Sequence, residues 1–79
     1  MRKRIVTYDV KTGNNYDDFY ELVDETNAKM ITESTYEFNT TWDQDTFEQK
    51  IASVFTKGDN VHYISVSNKN ELFTKKINI

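Results

Sequence analysis

Few residues in this chain of 79 can do chemistry. Asp9 sits near the end of the apolar, β-branched stretch RIVTYDV, residues 4 to 10, where a carboxylate can serve as a metal ligand, a general base or a turn former. Tyr8 precedes it; its hydroxyl needs only one hydrogen-bond partner, so a place in the core is its ordinary reading. His62 is the only histidine, the residue type that moves protons unassisted near neutrality. With no second histidine and no cysteine, nothing points to a transition-metal site. Asp43, Asp45 and Glu48 alternate as in a calcium loop, but no glycine follows at the required turn and a helix begins there, so helix-dipole complementation explains them better. Thr12-Gly13-Asn14-Asn15 lacks the glycine spacing and the Lys-Ser/Thr pair of a phosphate loop.

Charge and size bound what these residues can serve. Net charge is −3 and the pI is near 5.0, which argues against a broad electrostatic footprint for nucleic acid. The bases Arg2, Lys3 and Arg4 open the chain and Lys69, Lys75 and Lys76 lie near its end, so a basic patch is expected to join the two termini. Between Lys11 and Lys29 stand five acids and no base: Asp17, Asp18, Glu21, Asp24 and Glu25. An aromatic share of 14% is too much bulky surface for a disordered chain. The expectation is one domain, residues 1 to 79, only just large enough to bury a core; without disulfides, a homodimer is the default source of added stability. The basic N-terminus has no apolar signal core and no stretch reaches membrane-spanning length, so a soluble, cytoplasmic protein with no membrane partner is expected. On that expectation the glycosylation sequon Asn39-Thr40-Thr41 is a chance match.

The elements that must position these groups follow from periodicity. Residues 4 to 10 place Ile5, Val6, Tyr8 and Val10 on both faces, as expected for a central strand covered on both sides. Asn14 or Asn15 can cap a helix from about Tyr16 to Asn27, whose apolar positions Tyr16, Phe19, Tyr20 and Val23 follow the i, i+3, i+4, i+7 pattern. The stretch AKMITESTYEFNTTW divides at Glu33-Ser34 into strands Lys29 to Thr32 and Thr35 to Asn39. Thr41 with Gln44 fits a capping box, Asp43 competes as the cap, and a second helix runs through Phe47, Ile51, Val54 and Phe55 to a C-cap at Lys57-Gly58. Val61 to Val66 is a fourth strand, Ser67 to Asn70 a turn, and residues 71 to 79 suit a short edge strand or a dimer arm. The fold class is α+β: a ferredoxin-like β-α-β-β-α-β antiparallel sheet, two helices on one face, and a C-terminal β extension.

That order in so short a chain, with TYDV at the end of the first strand and ITESTYEF at the middle hairpin, resembles the small CRISPR-associated adaptation proteins and the virulence-associated protein D ribonucleases. The resemblance spans roughly residues 4 to 66 and rests on short motifs. It implies a homodimer built through the uncovered sheet face, often with the C-terminal segment crossing to the partner. It further implies that Asp9 of each subunit lies near the dimer axis and holds Mg²⁺ or Mn²⁺ for phosphodiester hydrolysis, with Tyr8 and Ser34 as supporting catalytic groups. A hard cation takes carboxylate oxygens, and two-fold symmetry supplies two from one residue. The chain departs from the pattern in its acidic first helix, where such nucleases carry bases; substrate would meet the termini.

Two functions follow as expectations. The first is a dimeric, metal-dependent endoribonuclease centred on Asp9, with Arg2, Lys3, Arg4, Lys75 and Lys76 contacting RNA or DNA. The second is a non-catalytic dimeric module of a mobile element or defence system, acting as scaffold or inhibitor of a larger protein partner. In that case the acidic helix, otherwise a solvated face, mimics nucleic-acid charge or docks on a basic surface.

Overall fold

In the computed structural model, residues 2–9, 16–66 and 71–79 are described. The order is β1 (Arg2–Asp9), α1 (Asp17–Thr26), β2 (Lys29–Thr32), β3 (Thr35–Thr40), α2 (Gln44–Val54), β4 (Asn60–Val66) and β5 (Leu72–Ile77). The strands form one antiparallel sheet in the order β2-β3-β1-β4-β5, with β5, from the tail that the sequence left as edge strand or dimer arm, at its edge. Each helix connects strands that have another strand between them: α1 carries the chain from β1 past β3 to β2, and α2 carries it from β3 past β1 to β4. β1 is thus central, as its β-branched run requires.

Only one face of β1 is covered, where its apolar run suggested cover on both sides. Arg4, Val6 and Tyr8 are buried, Ile5 and Thr7 are half-buried, and Lys3 and Asp9 are exposed, the alternation of a strand with helices on one side. The core is aromatic: Phe19 of α1 lies 4.9 Å from Phe55, 5.0 Å from Tyr8 and 5.2 Å from Tyr36, ring centroid to ring centroid. Phe47 of α2 joins Phe38 to Tyr63.

Several local expectations shift. The N-cap of α1 is Tyr16, with no side-chain cap hydrogen bond; Val10, the turn at 12 to 15 and the Ser67 to Asn70 turn lie outside the described residues. The buried residues of α1 are Phe19 and Leu22, so the helix is rotated from the Tyr16-Phe19-Tyr20-Val23 stripe, and Tyr20 is exposed. At α2 the competing cap wins: Asp43 Oδ1 accepts the Thr46 amide at 2.8 Å, and the Thr41 capping box does not form. This helix ends at Val54 rather than at Gly58, because Phe55 leaves the helix in an extended conformation to fill the core beside Phe19 and Tyr8. Gly58 instead turns the following loop at φ 101°, a conformation that favours glycine. The hairpin division at Glu33-Ser34 stands where the sequence set it.

Candidate functional site

Two strand ends build the site. β1 runs out at Asp9, and the β2–β3 turn at Glu33-Ser34 lies beside it because β3 pairs with β1 as far as Thr7 opposite Thr35. The turn is pinned there: the Tyr8 amide donates to the Ser34 carbonyl at 3.0 Å, and the Tyr8 hydroxyl donates to the Glu33 carbonyl at 2.9 Å. Tyr8, Asp9 and Ser34, the residues singled out from sequence, therefore line one open cleft of about 700 Å³.

Two residues that sequence reasoning assigned to the core join them, with a third, Tyr36, from the ITESTYEF hairpin that carries the resemblance. Tyr16 and Tyr20 come from the start of α1 and Tyr36 from β3, so four tyrosines face the cleft. The signal was present as the i, i+4 pair Tyr16 and Tyr20, read as core. Burial pushes the Tyr8 phenol far above its ordinary range, with the neighbouring Tyr20 and Tyr36 adding to the shift, so it is a hydrogen-bond donor rather than a base. Tyr16 and Tyr36 are also raised, first by desolvation; for Tyr16 the carboxylates of Asp59 and Asp9 add to it. The cleft is thus electronegative, with Asp9 and Glu33 at its wall and no base among its described lining residues.

Asp9 is exposed and stands on the uncovered face of the sheet. Opposite it is Asn60, and one step inward Thr7 stands opposite His62. Thr7, Asp9, Asn60 and His62 line a second concavity of about 310 Å³. Among the described residues no three His, Cys, Asp or Glu side chains gather as a metal-binding group. One chain thus brings a single carboxylate, Asp9, to this concavity.

The five terminal bases do not form one patch. Arg4 is only 3% exposed; its guanidinium donates to the Trp42 carbonyl at 3.0 Å and lies 4.8 Å over the Phe47 ring, so it is a core residue and desolvation lowers its pKa. Lys75, on the helix side, pairs with Glu48 at 2.7 Å, and Lys3, on the open side, pairs with Glu37 at 3.5 Å. Arg2 is exposed at the start of β1, level with Thr40. Lys76 sits opposite His62, at the other end of the sheet from Arg2 and Lys3. Hydrogen-bonding register and strand alternation, which a linear charge count ignores, separate them.

Among the described residues, no helix is long and apolar enough to cross a membrane. No family model, curated protein or solved structure matches this chain.

Proposed function

We propose that this chain is a ferredoxin-like protein of the CRISPR-adaptation or virulence-associated D type, a dimeric endoribonuclease that uses Mg²⁺ or Mn²⁺ at Asp9. On this reading β2-β3-β1-β4 is the ferredoxin-like core and β5 its C-terminal extension. The observation that carries the proposal is the convergence of the adjacent Tyr8 and Asp9 with Ser34, distant in sequence, on one cleft. Asp9 is on the uncovered face, where Ile5 stands opposite Ile64, and a two-fold contact of that face offers an apolar centre and brings two Asp9 carboxylates toward each other. A cation held there supplies Lewis-acid polarisation of the phosphoryl oxygen. Tyr8, held protonated by burial, keeps the Glu33-Ser34 turn against Asp9, and Ser34 offers an exposed hydroxyl to substrate.

The test is RNA cleavage by the purified protein with Mg²⁺ or Mn²⁺. Asp9→Ala is expected to lower the rate on the order of a hundredfold, as loss of a metal-holding group does. Cleavage by Asp9→Ala at the wild-type rate overturns the reading.

A second reading, the non-catalytic interaction module, is favoured by the character of the same cleft: four tyrosines with Asp9 and Glu33, beside a helix whose first turn is acidic. Such a surface suits a cationic side chain of a protein partner. Binding of an arginine-rich peptide that weakens in Tyr20→Ala and Glu33→Gln supports it; binding indifferent to both substitutions counts against it.

A further inference from the structure

Among its described lining residues the electronegative cleft gives the nuclease reading no group to grip phosphate, and the β5 side of the same sheet end supplies one. β1 ends, β4 begins and β5 ends at the same end of the sheet. There Lys76 stands directly opposite His62, and His62 directly opposite Thr7, so the three share the open face in one row across β5, β4 and β1. The loop that leaves α2 reaches the same end and brings Lys57. Lys57, Asn60 and Lys76 line a concavity of about 320 Å³. Asn60 also lines the concavity that holds Asp9 and His62, so the two hollows adjoin.

Charge separates the two hollows. Neither Lys57 nor Lys76 makes an ion pair among the described residues, whereas Lys3 and Lys75 do. Asp59, the acid of the Lys57 loop, is turned inward: it is 6% exposed and its Oδ2 accepts the Thr56 amide at 3.0 Å. Among the described residues, the hollow at Lys57 is thus lined by two ammonium groups and the side-chain amides of Asn60 and Asn78, with Asp59 as its one acidic side chain, and it shares Asn60 with the hollow of His62 and Asp9.

We propose that Lys57 and Lys76 form a phosphate subsite for single-stranded nucleic acid, placing the adjacent phosphodiester over Asp9 and His62. This rests on the nuclease reading for its role, but as a binding site it stands alone. It also relocates the basic surface: not the two termini together, but the α2–β4 loop and the end of β5.

The experiment is binding of a short RNA and the matching single-stranded DNA to the whole protein without divalent metal, over a range of salt. For each strand, a Lys57→Gln, Lys76→Gln double variant is expected to bind more weakly and to lose about 1.4 from the slope of log affinity against log salt, at about 0.7 per phosphate contact. His62 ring resonances are expected to shift on titration with the wild type and not with the double variant at the same strand concentration. The control variant Lys3→Gln, Lys75→Gln, which removes the two ion-paired bases, is expected to keep the wild-type slope. An unchanged affinity and slope in the double variant overturns the proposal, as does an equal loss in the control. Asp9→Ala separates the readings: without metal it removes a carboxylate that repels the strand, so it is expected to bind no more weakly than the wild type, and lost binding in the lysine variant with full cleavage by Asp9→Ala removes only the metal role of Asp9.

Discussion

Thr40 shows how much one atom can matter in so small a core. It lies at the end of β3 opposite Arg2, is buried, and its Oγ1 has no hydrogen-bond partner among the described residues. A buried hydroxyl without a partner loses its water and gains nothing in return. Valine has nearly the same shape without the polar atom, so Thr40→Val is expected to raise unfolding free energy by about 1 kcal/mol in urea denaturation. A loss of stability instead means the hydroxyl has a partner after all. Arg4 is the contrasting case: a charged side chain in the same core keeps its place because its donor reaches the Trp42 carbonyl and its face lies on Phe47. Such a residue reads from sequence as part of a basic cluster, since a linear string does not show which side of a strand faces the helices.

Among the elements, α2 depends on its cap. Asp43 accepts the Thr46 amide, and that hydrogen bond, with the Thr46 side chain and the charges of Arg2 and Arg4, holds its carboxyl below the ordinary range. A lowered folded-state pKa contributes stability that is complete above the ordinary carboxylate range and is lost as pH falls through the folded value. Asp43→Ala is therefore expected to melt below the wild type at neutral pH, with the gap closing in acid; a gap independent of pH removes the carboxylate from the account. Element order, the Glu33-Ser34 hairpin and the Phe47-Ile51-Phe55 stripe were legible because each rests on local periodicity or turn chemistry. Helix rotation at Leu22 and the end of α2 at Val54 were not, because they are decided by which ring fits beside Phe19. The site was legible in part. Tyr8 and Asp9 stood out as a strand end, Ser34 and Tyr36 through the resemblance, while Tyr16, Tyr20 and Lys57 enter only through the sheet order that brings their elements to one end.

At the scale of the whole molecule the two sheet faces divide the work: helices and aromatic rings cover one for stability, and the other exposes Asp9, His62 and Lys76. The ring network links Tyr8 through Phe19, Phe38 and Phe47 to Tyr63, and both of these residues are phenols whose charged form burial disfavours. Tyr63 is 1% exposed and donates to Glu48 Oε1 at 3.2 Å; burial, then the Glu48 charge, push its pKa up to about 12. In the unfolded chain a tyrosine titrates near 10. Below that value the phenol is protonated in both states and its contribution is fully present. Above it the unfolded chain binds fewer protons than the folded one, so stability falls as pH rises toward the folded value. Tyr8, raised further, extends the decline beyond the range of Tyr63. Urea denaturation is thus expected to show a marked loss of stability between about pH 9 and about pH 11, and Tyr63→Phe is expected to lose less over the same interval. Its cost at neutral pH should be no more than about 1 kcal/mol, the net worth of one hydrogen bond. Glu48 retains Lys75 in that variant, so no carboxylate is left unpaired. Equal losses in the two proteins place the alkaline sensitivity outside the Tyr63 end of the network.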